Sequence, residues 1–376
     1  MTDVTLVIPC INEEQTIEAC IRKAQASFSR SKLDGEIIVV DNGSTDKTIE
    51  ISEKAGAVVI KETVKGYGSA LRRGIEAAKG KYIVMGDGDD TYDFTGIDKF
   101  AAKLKEGYDL VMGSRFKGKI LPGAMTWSHR YIGNPILSGM LRLFFGGTIT
   151  DSHCGFRAFT KEAYRRMNLH TIGMEFASEM VIHCLKKKLK IAEIPITYYP
   201  RLGESKLDSF KDAWRHIRFM LLYSPGYLFL VPGLLIFLIC FCATVKLVFS
   251  PIYAFGRFWD VHPMVFCAIF TLLGWQILSI GIAAKAYAYE IGLDQDVFLR
   301  NFIKCITLEK SLLIGMGMIL IGVSLMFYIY FSWAKNNFGE LTEVKTGILA
   351  LMFTSMGFQT IFAAFLRSML QIAYKK

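Results

Sequence analysis

The chain has 376 residues, 52% of them hydrophobic, and a formal net charge of +10. That length leaves room for about two domains, and so much apolar content excludes an ordinary soluble enzyme. The excess is uneven: up to about Ser209 charged and apolar residues mix as in a globular domain, and after Pro225 long apolar stretches take over. The opening MTDVTLVIPC has no basic start and no cleavable apolar segment, so no signal peptide is expected. The eight cysteines lack metal-ligand spacing, which fits reduced thiols in a cytosol-facing domain.

Five apolar runs rich in Val and Ile follow in order: TLVIPC, EIIVVDN, AVVI, KYIVMGD and DLVMGS. None alternates cleanly, as expected of parallel strands covered on both faces. Helical stretches lie between them at 13–30, 46–55 and 68–79, the second opening on the capping residues STDKT. This β-α-β-α-β order predicts an open, mostly parallel α/β sheet, in which ligands bind beyond the carboxyl ends of the strands. Polar residues stand at four such ends: Asn12 and Glu13, Asp41 and Asn42, Asp87 and Asp89, then Ser114 and Arg115.

The stretch VMGDGDDTYDF crowds Asp87, Asp89, Asp90 and Asp93 directly behind a strand. Carboxylates that close repel unless a cation or a ring of donors sits among them; the other reading is a solvated acidic turn. In an Asp-x-Asp pair one carboxylate can bind Mg²⁺ or Mn²⁺ while the other orients ligand hydroxyls, the ion bridging to a diphosphate. Neither a P-loop nor a Gly-x-Gly-x-x-Gly fingerprint is present, which favours neither an ATPase nor a dehydrogenase. KGYGSALRRG at 65–74 is either an amide cradle for a phosphate at a helix start or a plain turn with a basic helix behind it.

Two amphipathic segments follow, at 127–147 and 208–225. In the second, Phe210, Trp214, Ile217 and Leu221 share one helical face and Lys211, Arg215 and Arg218 lie elsewhere. Such a helix lies in the headgroup plane of a bilayer or packs on the sheet or the spans. Four apolar stretches, at 227–249, 263–284, 312–333 and 347–366, are each long enough to cross about 30 Å of hydrocarbon. Basic residues gather after the second span (Lys285, Arg300, Lys304, Lys310) and at the C-terminus (Arg367, Lys375, Lys376). The positive-inside rule then places both termini and the N-terminal domain in the cytoplasm.

VIPCINEE (7–14), VVDNGSTDKT (39–48), KGYGSALRRG, GDGDD and GSR (113–115), in this order, resemble the family-2 glycosyltransferases of GT-A fold. DSHCGFRAF (151–159) and RLGESKL (201–207) narrow the resemblance to the polyprenyl-phosphate glycosyltransferases, the dolichyl-phosphate mannose synthase group. It implies a nucleotide-diphospho-sugar transferase domain over 1–225, ending in the interfacial helices, and a four-helix membrane domain over 226–376. It further implies that Pro9, Ile11, Glu13, Asp41 and Asp87 line the nucleotide pocket and that Asp87, Asp89 and Thr91 hold Mg²⁺ or Mn²⁺. Arg201 and Lys206 would clamp the donor diphosphate; Arg115, Arg130 and Asn134 would hold the acceptor phosphate. Asp89, Asp151 and Arg115 are the catalytic candidates, Asp151 as an orienting group before a base. Thr91 replaces a frequent Gln, and Asn134 a frequent Ser.

The implied reaction is a single displacement with inversion, moving a hexose from a nucleotide sugar to polyprenyl phosphate. UDP-glucose or a related UDP-hexose is the first choice of donor, GDP-mannose the second. A lipid phosphate is already largely ionised near pH 7, its second pKa being about 6, so alignment matters more than a strong base. A processive polysaccharide synthase usually carries Gln-x-x-Arg-Trp, which is absent. A non-catalytic membrane scaffold would not need Asp87, Asp89, Arg115, Arg201 and Lys206 together. No nucleic-acid partner is expected, and a homo-oligomer stays open.

Overall fold

The computed structural model describes residues 2–202, 209–254, 256–290 and 305–372. The chain divides into two compact units, Met1–Met220 and Leu221–Lys376.

In the first unit the five expected runs form β1 (Val4–Cys10), β2 (Gly35–Asp41), β3 (Val58–Lys61), β4 (Tyr82–Met85) and β5 (Leu110–Ile120). Helices α1 (Ile17–Ser31), α2 (Thr48–Lys54), α3 (Tyr67–Ala77) and α4 (Ile97–Lys105) separate them. Two further strands, β6 (Arg157–Thr160) and β7 (Ile191–Tyr198), complete a seven-stranded sheet in the order β3-β2-β1-β4-β6-β5-β7. Only β6 runs antiparallel, wedged between β4 and β5. Every residue of β1 and β4 is buried, which explains the unbroken apolar runs, because helices cover both faces.

Beneath the acidic stretch the core is aromatic. Phe156 packs against Phe100 with ring centroids 4.3 Å apart and meets Phe94 edge-on at 5.4 Å. This floor fixes the loop after β4 from below. β5 outruns its expected end, and its pairing with β7 shifts register between Ser114 and Lys119. The irregularity spans Arg115, at a place where a bulge can re-aim a side chain.

The amphipathic segments are helical in large part: α5 (Asn134–Phe145) and α8 (Ser209–Leu222), with α6 (Lys161–Met167) and α7 (Phe176–Lys186) between them. Phe210 is 84% exposed and Trp214 and Leu222 are exposed too, while His216 and Met220 are buried. The apolar outer face is thus distinct from the face that packs on the domain.

In the second unit four helices, Gly226–Phe249, Val261–Glu290, Leu308–Lys335 and Val344–Gln371, are long and apolar enough to span a membrane. A short two-stranded ribbon, Ile252–Ala254 with Arg257–Trp259, joins the first two. The third and fourth spans approach through small residues. A Cβ at Gly357 would lie 2.6 Å from the Gly315 carbonyl oxygen, and one at Gly315 2.8 Å from that of Gly357. Lacking a hydrophobic drive between helices in lipid, association here depends on such close packing. Gly357→Leu should therefore destabilise the detergent-purified protein by roughly 1–3 kcal/mol, read as a lowered Tm. Gly317→Leu, where a Cβ meets nothing within 4 Å, should leave the Tm nearly unchanged.

Candidate active site

The four crowded aspartates have separate fates. Asp90 adopts a left-handed backbone (φ 59°) and pairs with Lys23 Nζ at 2.7 Å. Asp93 caps the following turn, accepting from the Thr95 N–H at 3.0 Å and its hydroxyl at 2.7 Å. Asp87 and Asp89 remain at the carboxyl end of β4. Asp87 Oδ1 accepts the Tyr67 hydroxyl at 2.9 Å, and Asp89 Oδ1 accepts the Thr91 hydroxyl at 2.6 Å and N–H at 3.2 Å.

Arg201 bridges this pair to the end of β1. Its guanidinium meets Glu13 Oε1 at 2.8 Å and Asp89 Oδ2 at 3.5 Å. Two carboxylates thus share this cation, and Asp87, behind Asp89, is left with a neutral hydroxyl as its bonded partner. Burial, then the charge of Asp89, pushes its carboxyl up to about 7 against the pull of Tyr67, Arg201 and Arg115. Among the described residues no three His, Cys, Asp or Glu side chains form a ready metal cage. The donor set nevertheless fits Mg²⁺ or Mn²⁺, hard ions that take one or two carboxylates and fill the remaining positions with water and substrate phosphate. Asp87 and Asp89 are the residues that would hold it. Thr91 directs its hydroxyl hydrogen to Asp89, which makes it that carboxylate's support.

A second cluster forms at the end of β5. Asp151 is fully buried and grips Arg115 by three bonds: Oδ2 from Nε at 2.7 Å and from the backbone N–H at 3.0 Å, and Oδ1 from Nη2 at 2.7 Å. Burial alone would depress the guanidinium; the Asp151 charge and hydrogen bonds leave it raised well above its ordinary value. The Tyr198 ring covers it at 5.2 Å. Asp151 is itself fixed by Glu193, whose Oε1 accepts the N–H groups of Thr150 (2.7 Å) and Asp151 (3.2 Å). Arg157, in the same motif, is caged by the carbonyls of Cys154, Ser152 and Ala177 and holds the loop from inside.

The remaining expected residues divide. Asp41, at the end of β2, turns its carboxylate onto the Gly43 (3.2 Å) and Ser44 (2.9 Å) amides and so shapes its own loop. Asn12 stitches that loop to β1 by accepting the Thr45 N–H at 2.8 Å. Pro9 lies within β1 opposite Val40, and Ile11 is exposed just past its end. Arg130 stacks on Tyr131 at 5.4 Å and Asn134 donates to Met125 Sδ at 3.5 Å; neither bonds to the two clusters. Lys206 lies outside the described residues. The amide-cradle reading of 65–74 gives way to the plain turn: Gly66 N–H donates to Asn42 Oδ1 (2.8 Å) and Ser69 N–H to the Ile172 carbonyl (3.1 Å), so these donors are spent. Tyr67, Glu193 and Gly155 escaped the sequence reading. At Gly155 a Cβ would lie 2.8 Å from Asp87 Oδ2, so only glycine leaves that carboxylate room.

A mostly parallel sheet with an acidic pair beyond β4 and one antiparallel strand beside it defines a GT-A-like domain. The profile of Glycosyl transferase family 2 matches residues 5–167, and that of the Glycosyltransferase family 2 C-terminal transmembrane region matches 282–371. The low-salt glycan biosynthesis hexosyltransferase Agl6 of Haloferax volcanii is 38% identical over 96% of this chain and 87% of its own length. A dolichyl-phosphate hexose transferase of the same organism is 36% identical over 55% of this chain and 88% of its own. Among solved structures, glucosyl-3-phosphoglycerate synthase from Mycobacterium tuberculosis, with Mn²⁺, UDP and glucosyl-3-phosphoglycerate, aligns at TM-score 0.47 and 25% identity over 59% of this chain and 79% of that one. The chain belongs to glycosyl transferase family 2, and it is an integral membrane glycosyltransferase.

Two outcomes follow from the charges. Folded Asp87 titrates near 7 against an ordinary 3.8, so between those values the folded state holds a proton that the unfolded state lacks. Stability therefore falls as pH rises through this window, and the cost is complete above 7. Mn²⁺ needs the carboxylate, so its affinity should climb up to about ten-fold per pH unit below 7 and level off above. The Mn²⁺-induced Tm shift, measured at pH 6 and pH 8, should be larger at pH 8, and Asp87→Asn should flatten the difference. Separately, Asp151→Ala would leave Arg115 buried without its partner and should cost about 3–5 kcal/mol of stability in chemical denaturation.

Proposed function

We propose that the protein transfers a hexose, with inversion, from a nucleotide-diphosphate sugar to polyprenyl phosphate at the cytoplasmic surface of a membrane. The observation that carries this reading is the pairing of two unlike clusters at one sheet end: a carboxylate-rich one suited to a metal-bound diphosphate and an arginine aligned for a phosphate. The four spans, and the activity of the similar dolichyl-phosphate hexose transferase of Haloferax volcanii, support a lipid acceptor.

In this mechanism Asp87 and Asp89 would hold the divalent ion, which would supply positive charge to the leaving diphosphate. Glu13, Asp41, Pro9 and Ile11 border the nucleotide. Arg201 exchanges its contacts with Glu13 and Asp89 for the donor diphosphate, with Lys206 as its expected companion. Arg115 uses Nε and one Nη2 hydrogen on Asp151 and offers its remaining N–H groups to the acceptor phosphate, assisted by Arg130 and Asn134. Asp151 orients that guanidinium and has no oxygen free of it, so it does not serve as a base; the phosphate attacks already ionised. UDP-glucose or a related UDP-hexose remains the preferred donor.

Purified protein given labelled nucleotide sugar, Mn²⁺ and polyprenyl phosphate should form an organic-extractable, acid-labile, β-linked lipid phosphosugar. Free sugar, polymer or a retained anomer would overturn the proposal. Asp89→Ala should lower turnover by about 100-fold or more with membrane insertion intact. Arg130→Ala should raise the KM for the lipid roughly ten-fold with the donor KM unchanged.

A further inference from the structure

Among the described residues of Leu221–Lys376, Arg367 is the only buried charged side chain, 6% exposed. It lies on the fourth span, four residues before its end at Gln371, which places it about 6 Å along the helix from the terminus. Among the described residues its one hydrogen-bond partner is the Ser311 hydroxyl on the third span, at 3.3 Å from Nη2. Ser311 is buried as well and donates its own hydrogen to the Thr307 carbonyl at 2.9 Å. A guanidinium has five N–H donors, and one long bond to a neutral oxygen does not offset the cost of removing its charge from water. A charged group within a span calls for a counter-charge, and among the described residues no carboxylate reaches it.

We propose that Arg367, backed by Ser311, binds the phosphate of a membrane lipid between the third and fourth spans. The planar fork of arginine matches two phosphate oxygens. The surroundings specify an anion carried on a hydrocarbon chain. Phe365, Leu366 and Met369 flank Arg367 and are exposed, as are Leu313 and Ile314 beside Ser311. The approach is therefore apolar, and an ion that enters there arrives with its tail in the bilayer. The close contact of the third and fourth spans at Gly315 and Gly357 closes the route from below and leaves the headgroup at the end of the bundle where the first span begins. This site is separate from the acceptor role assigned to Arg115 and does not depend on it.

Native mass spectrometry of the delipidated full-length protein tests the proposal, with polyprenyl phosphate, phosphatidylglycerol, the phosphate-free polyprenol and inorganic phosphate as probes. The wild type should retain at least one phosphate lipid roughly ten-fold better than polyprenol, and R367Q should lose that preference. R367K should retain part of it, which separates lost charge from lost folding. Equal retention of polyprenol by the wild type, a comparison that needs no variant, would overturn the proposal, as would unaltered phosphate-lipid retention by R367Q. Displacement of the lipid by millimolar inorganic phosphate would identify a free-anion site and equally overturn the lipid assignment.

Discussion

A carboxylate excess at the carboxyl ends of parallel strands is the constraint on which the site depends. Glu13 and Asp89 both pair with the guanidinium of Arg201, and Asp87, buried beside Asp89, bonds only to the neutral Tyr67 hydroxyl while Arg201 and Arg115 act on it through space. The fold has already disposed of the other two acids nearby, one by a lysine and one by a cap. What remains cannot be relieved by rearranging the loop, because Phe94, Phe100 and Phe156 support it rigidly from beneath. The raised Asp87 is the local expression of that imbalance. A divalent ion would repair the charge and a diphosphate would complete the ion's coordination, so donor and metal binding become one event in the proposed mechanism.

The second cluster obeys the opposite logic. Arg115 and Asp151 are buried and balanced, and their worth lies in orientation more than in stability, since a buried pair gains little over apolar packing. Two bonds from the guanidinium and one from the Arg115 backbone N–H to the same carboxylate fix the fork's orientation, and Glu193 holds the segment carrying Asp151 in turn. A preset fork does not have to be ordered when phosphate arrives. The mobile-charge demand falls on Arg201, one of whose present partners, Asp89, is a carboxylate that would hold the metal. One arginine is thus built to stay and the other to exchange.

The sheet was legible because burial on both faces leaves its mark on every residue of a strand. β1 and β2 were found nearly to the residue for that reason, and the spans by length and apolarity alone. β6 was missed: four residues, RAFT, carry too little pattern, and their antiparallel placement depends on the gap between β4 and β5. The acidic pair was legible from its position behind a strand, but its partners were not. Tyr67 reaches Asp87 from the start of α3, and Glu193 reaches Asp151 from β7, across separations no local pattern records. The amide cradle failed for a related reason, since Ile172, which takes the Ser69 donor, lies about a hundred positions downstream.

The same long-range logic explains how α8 can be amphipathic and still dock by polar groups. His216 Nδ1 meets Ser178 Oγ at 2.8 Å on α7, and its ring meets His153 edge-on at 4.5 Å. His153 in turn bonds Ser152, and Ser152 bonds Ser138 of α5 at 3.0 Å. Two imidazoles this close disfavour a charge on both, and their burial disfavours a charge on either. Burial, helped by Arg157 and Arg215, lowers His216 to about 4, and burial with His216 and the arginines lowers His153 well below its usual value. The inner face of α8 is therefore held by neutral hydrogen bonds that a pH near neutrality does not disturb. The opposite side of the helix carries the exposed Phe210 and Trp214, while Arg215 pairs with Asp212 on the same helix. In the proposed reading, that division lets one helix be anchored to the catalytic domain and wetted by lipid headgroups at once.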